Sequence, residues 1–78
     1  MRINIRQDLE RPTRRGETSI YHHIVCRKEE ADKVANDYIH ETINNPNLIR
    51  TVKFDVFYRD VKGRLVKRFQ YSPTYPSK

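Results

Sequence analysis

Three residues of one short run, His22, His23 and Cys26, are of the types from which metal centres and nucleophilic sites are built. Imidazole and thiolate both ligate zinc, and a thiol beside a histidine is activated for attack. Their spacing argues against both uses. The run 20–27, IYHHIVCR, is rich in β-branched and aromatic residues and reads as a strand. On a strand His22 and His23 point to opposite faces, and His22 and Cys26 stand ~13 Å apart at ~3.3 Å per residue, too far to share one tetrahedral ion. Cys26 has the parity of Ile20 and Ile24 and is expected to be a small core residue. As the single cysteine it makes no intrachain disulfide, in keeping with a reducing compartment. His40 falls on the polar stripe of a helix, where it is solvated. With only Gly16 and Gly63 in the chain, a glycine-rich phosphate loop has no place to form. The expectation is a non-enzymatic protein with no catalytic residue, metal or cofactor.

What remains is charge. The chain carries 16 Lys and Arg against 10 Asp and Glu, a net of +6. The distribution is uneven: within residues 28–45, Glu29, Glu30, Asp32, Asp37 and Glu41 outnumber Lys28 and Lys33. The bases therefore concentrate on the rest of the chain, and a polyanionic partner is favoured. No apolar run reaches the 18 residues of a membrane span, and the first ten residues hold no signal-like apolar stretch, so a cytoplasmic protein with no membrane partner is expected.

Periodicity gives the elements that must carry these charges. Residues 2–6, RINIR, alternate as a half-buried strand, and the polar stretch 7–19, with Pro12 and Gly16, reads as a loop. Residues 20–27 form a second strand. From Glu29 to about Asn44 the period changes. Ala31, Val34, Ala35, Tyr38, Ile39, Thr42 and Ile43 recur at helical spacing, with Glu29 and Glu30 complementing the helix dipole but no good N-cap residue before them. Pro46 stops the helix. The block 48–71 reads as a β-hairpin turning at Lys62-Gly63. A register bringing Val56 opposite Phe69 and Phe54 opposite Tyr71 puts Val52, Phe54, Val56, Tyr58, Leu65, Phe69 and Tyr71 on one face, with Lys67 as the polar exception; a slip of one spoils this core.

The fold class is therefore α+β: a small single domain of ββαββ order over residues 1–71, a mostly antiparallel four-stranded sheet with one helix packed on one face, and a short extended C-terminal tail, 72–78. One helix covers one face, so the other is open. On that open face the same parity rule places Arg2 and Arg6 of strand one and Tyr21, His23 and Arg27 of strand two. From the hairpin come Lys53, Phe57, Arg59, Arg64 and Arg68. Cations interleaved with rings are what a single nucleic-acid strand needs, for phosphates and bases respectively. The loop residues Arg11, Arg14 and Arg15 form a flexible basic arm able to follow a phosphate backbone.

Two short motifs are set aside on their residues. Residues 62–69, KGRLVKRF, match a ribonucleoprotein motif at Lys62, Gly63 and Phe69, but hold Arg64 and Val66 where RNA-recognition domains have rings. Residues 71–77, YSPTYPS, are similar to one heptad of the RNA polymerase II tail. That tail works through tandem copies, and here Pro73 and Pro76 simply end a strand.

The expected function is binding of nucleic acid, single-stranded by preference, or of a nucleic-acid-bearing complex. The alternative is a protein-binding module, such as a phage- or mobile-element-type inhibitor or an assembly subunit, docking on an acidic protein surface or through an exposed edge strand. A homodimer burying Val25, Phe57 and Val66 is a third expectation, motivated by the half-covered sheet.

Overall fold

A computed structural model describes residues 1–45 and 49–75. The elements are β1 (Arg2–Leu9), β2 (Ser19–Val25), a 3-10 turn (Lys28–Glu30) that runs into α1 (Ala31–Ile43), β3 (Thr51–Arg59) and β4 (Leu65–Tyr71). All strand pairs are antiparallel and the sheet order is β2-β1-β3-β4. The expected α+β fold of ββαββ order is observed. The expected helix stop at Pro46 and the second tail proline, Pro76, lie outside the described residues.

The core forms between α1 and one face of the sheet: Ile3 and Ile5 from β1, Phe54, Val56 and Tyr58 from β3, and Ala31, Ala35 and Ile39 from the helix. Alanines at two of the three buried helix positions let the helix backbone approach the sheet closely. Val34, Tyr38 and Ile43 flank that stripe half-buried, as their spacing predicts. No side chain caps the helix start, and Asp32 in its first turn complements the dipole.

β1 is longer than expected. The sequence suggests a strand ending at Arg6 because Gln7 interrupts the apolar alternation, yet the alternation resumes at Leu9 and the strand with it. Gln7 is only 2% exposed. It is tolerated there because both ends of its amide are bonded: Nε2 donates to Thr51 Oγ1 at 2.8 Å, and Oε1 lies 2.9 Å from His22 Nε2.

Two register shifts correct the expected apolar row. The interior of the β3–β4 hairpin has the predicted pairing, with Phe54 opposite Tyr71 and Val56 opposite Phe69. Beyond it, Tyr58 pairs with Lys67 but Arg59 with Leu65, so Val66 is an extra residue and Leu65 swings to 51% exposure. Across β1, Asp8 pairs with Lys53 but Leu9 with Thr51. Val52 is thus extruded to 54% exposure, and Thr51 takes the buried place expected for it. The hairpin turn is also wider than the two residues Lys62-Gly63. It spans Asp60 to Gly63, closed by Gly63 N–H to the Asp60 carbonyl at 2.9 Å. Asp60 Oδ1 accepts from the amides of Lys62 and Arg64, and Gly63 sits at φ +84°, a conformation that favours glycine.

Residues 72–75 continue past β4 without regular structure. Tyr75 packs back on the start of β3: its hydroxyl accepts from Thr51 N–H at 2.9 Å, and the Arg50 guanidinium lies 4.9 Å from its ring centre.

Candidate functional site

The register fixes which side chains share the face away from α1. Read across β2, β1, β3 and β4, one row holds Val25, Arg2, Arg59 and Leu65, and the next His23, Asn4, Phe57 and Arg68. A third holds Tyr21, Arg6, Asp55 and Gln70, and a fourth Ser19, Asp8 and Lys53. Strand parity thus delivers Arg2, Arg6, Tyr21, His23, Lys53, Phe57, Arg59 and Arg68 to one surface, as expected. Because α1 exposes Asp32, Asp37 and Glu41 on the other side, the charge separation in the sequence becomes a separation between molecular faces.

The cations of this face are not equivalent. Arg68 is a bidentate partner of Asp55, with Nε to Oδ1 at 3.0 Å and Nη2 to Oδ2 at 2.9 Å. Its guanidinium also lies 4.8 Å from the centre of the Phe57 ring. Asp55 is buried, and the Arg68 hydrogen bonds outweigh desolvation to hold its carboxyl below the usual value of 3.8. Asp8, in a segment whose composition predicts a loop, lies on β1 and neutralises a second part of the surface. It accepts from Arg6 Nε and Ser19 Oγ at 2.9 and 2.8 Å and stands 3.9 Å from Lys53 Nζ. Burial pushes its pKa up, but the Ser19 and Arg6 hydrogen bonds leave it lowered.

That leaves Arg2 and Arg59. They face one another across β1 and β3. Neither has a carboxylate partner among the described residues; Arg59 Nη1 donates only to the Gly63 carbonyl at 3.1 Å. Like charges directly opposed on a sheet are destabilising. Beside them lies a shallow depression of about 380 Å³ lined by Asn4, Arg6, Tyr21, His23, Phe57 and Arg59. Tyr21, 75% exposed, and Phe57 sit on strands two spacings apart, which separates them by roughly 12 Å with their two-residue offset.

Five expected site residues lie elsewhere. Arg27 follows β2 and caps the 3-10 turn, so strand parity no longer governs it. Arg64 precedes β4 in the hairpin turn, with its amide held by Asp60. Arg11, Arg14 and Arg15 line a groove together with Tyr38 and Thr42 of α1, on the helix side of the sheet. Their loop is also no free arm. Gly16 N–H donates to the Thr13 carbonyl, Thr13 N–H to the Glu17 carbonyl, and Glu17 N–H to Thr13 Oγ1. Gly16, at φ +84°, completes a tight turn with Arg14 and Arg15 at its tip.

This loop borders a groove of about 940 Å³ whose floor is Leu9, Ile20, Ile49, Gln7, His22 and Tyr38. Sequence reasoning did not find it, since it depends on how the loop folds back. The tautomer of His22 follows from its neighbours. Gln7 Nε2 donates to Thr51, so Gln7 Oε1 accepts from His22 Nε2–H, and the Tyr38 hydroxyl then donates to His22 Nδ1. Both imidazole nitrogens are occupied, and neither is left for a metal or for proton abstraction. Burial lowers the His22 pKa and raises that of Tyr38, keeping both neutral.

No family model, curated protein or solved structure matches this chain. Its function must be argued from these two surfaces. Among the described residues no helix is long and apolar enough to cross a membrane, and no group of three or more His, Cys, Asp or Glu is placed to hold a metal ion.

Proposed function

We propose that the open sheet face binds a single strand of nucleic acid. The observation that carries this reading is the unneutralised Arg2–Arg59 pair beside the Phe57 depression. Two guanidiniums opposed at a cost to the sheet are relieved by phosphate, and Phe57 and Tyr21 supply ring faces on which bases stack. The spacing of those rings suits an extended strand with bases splayed onto the sheet, whereas a duplex hides its base faces. Arg68 acts differently: its charge is met by Asp55, and it backs the Phe57 ring instead of meeting phosphate.

The test is fluorescence anisotropy of a mixed-sequence single-stranded oligonucleotide across a salt series, with duplex of the same sequence as the comparison. Binding that weakens steeply with salt and favours the single strand is expected. No binding even at low salt, where phosphate contacts are strongest, would turn the assignment toward an acidic protein surface, which the same cations suit.

A further inference from the structure

The groove on the helix side has features that the open face does not explain. Its rim carries Arg11, Arg14 and Arg15, and none of the three makes an ion pair among the described residues. Glu17 also lines the groove, so three guanidiniums face one carboxylate. The backbone turn that presents Arg14 and Arg15 is closed by its own hydrogen bonds and carries both side chains at its tip.

The floor adds chemical detail. Leu9, Ile20 and Ile49 make part of it apolar. Three of its polar groups have spent their donors: the Tyr38 hydroxyl on His22, the His22 Nε2–H on Gln7, and the Thr42 hydroxyl on the Tyr38 carbonyl. Tyr38 Oη and Thr42 Oγ1 keep lone pairs, so these two hydroxyls accept hydrogen bonds from a ligand and do not offer them. A ligand that fits has an anionic end for the rim, a flat or apolar body for the floor, and an N–H or O–H donor on that body. The volume falls within the ~300–1,000 Å³ usual for small-molecule sites.

We infer that this groove is a binding site for a small organic phosphate of the nucleoside monophosphate class, its phosphate held by Arg14 and Arg15 and its base or sugar seated between Ile20 and Tyr38. A phosphomonoester carries close to two negative charges and three acceptor oxygens, which is what paired guanidiniums recognise best. A carboxylate offers half that charge. The site is for binding and not for chemistry, because both nitrogens of its only histidine are engaged. It lies on the opposite face from Phe57 and stands independently of the strand-binding surface.

Amide chemical-shift titration separates the parts of this inference, with adenosine 5′-monophosphate as the probe and adenosine and inorganic phosphate as its two halves. Adenosine 5′-monophosphate is expected to give saturable shifts at residues 13–17, Ile20 and Tyr38, with each half binding more weakly. The exposed-site variant R14A/R15A should retain its melting temperature and lose about tenfold or more in affinity, while F57A should leave the affinity unchanged. Absence of saturable shifts at millimolar probe overturns the inference. So do equal affinity for either half, full affinity in R14A/R15A, or shifts centred on Phe57. Shifts centred on Phe57 would assign the nucleotide to the open face; the other outcomes leave oligonucleotide binding by that face untouched.

Discussion

Arg68 grips Asp55 with two hydrogen bonds, 3.0 and 2.9 Å long, while stacking its guanidinium on Phe57, so one side chain both neutralises a buried carboxylate and props a ring of the proposed binding face. The aspartate sits on β3 between Arg6 of β1 and Gln70 of β4, in the middle of the sheet, where an unpaired carboxylate is costly. Replacing Arg68 with Ala leaves Asp55 with only the long 3.4 Å contact from Gln70. The variant is expected to melt several degrees lower than the parent, and R68A/D55N to recover part of that loss. Thermal melts of the two variants and the parent check this coupling.

The same carboxylates set the acid limit of the fold. Asp55 and Asp8 both titrate below their ordinary 3.8 in the folded protein. A depressed carboxyl contributes stability that is fully present above the unfolded value and lost as pH falls through the folded one. Melting temperature should therefore decline as pH drops below about 4, and D55N should show a shallower decline. An unchanged acid slope in D55N would place the linkage elsewhere.

His22 acts in a separate window. Burial lowers its pKa from 6.5, so the folded state resists protonation, and its contribution to stability is lost as pH falls from 6.5 through the folded value. Protonation puts a proton on Nδ1, where the Tyr38 hydroxyl now donates. A melting temperature that falls between pH 6.5 and 5 in the parent and stays flat in H22Q is the expected result; equal curves for the two would remove His22 as the source of that window.

The open and covered faces can be told apart by two phenylalanines. Phe54 is fully buried against α1, and Phe54→Ala should cost about 3–5 kcal/mol in urea denaturation, enough to unfold much of so small a domain. Phe57 lies on the opposite face under Arg68, and Phe57→Ala should leave most of the stability in place. Phe69 is only half-buried, so its truncation belongs between the two.

This contrast shows where the sequence was legible. Alternation placed Phe54 and Phe57 on opposite faces because strand parity is strict between irregularities, and it placed Arg2, Arg6, Tyr21 and His23 correctly for the same reason. It failed at Val52 and Leu65, where an extra residue in one strand reverses parity without any change in composition to mark it. Gln7 and Asp8 were hidden for another reason. A buried glutamine looks like a loop residue until its partners, Thr51 and His22, are brought to it from 44 and 15 residues away. The shared parity of Ile3, Ile5 and Leu9 was the available signal for the longer strand. The Arg11–Arg15 loop reads from the sequence as a free arm because the way a loop folds back is set by turn hydrogen bonds, here those of Thr13 and Gly16, and not by periodicity.

The final prediction separates charge from stacking on the open face. Each phosphate neutralised on a single strand releases counterions and contributes a slope of roughly −0.7 to the dependence of log affinity on log salt. Arg2 and Arg59 are the cations without carboxylate partners, so R2A/R59A should flatten the slope by up to about 1.4. Arg68 already spends its charge on Asp55, so R68A should change the slope less than R59A does, despite removing the same formal charge. Phe57→Ala removes a stacking surface that salt does not screen. Affinity should fall by ~1–3 kcal/mol with the slope nearly constant, and the preference for single strand over duplex should shrink. E41Q, on the exposed side of α1, is the control and should leave both quantities close to the parent. A slope that responds to Arg68 as strongly as to Arg59 would mean that the Arg68–Asp55 pair opens on binding; a slope indifferent to Arg2 and Arg59 would remove this face as the site of phosphate contact.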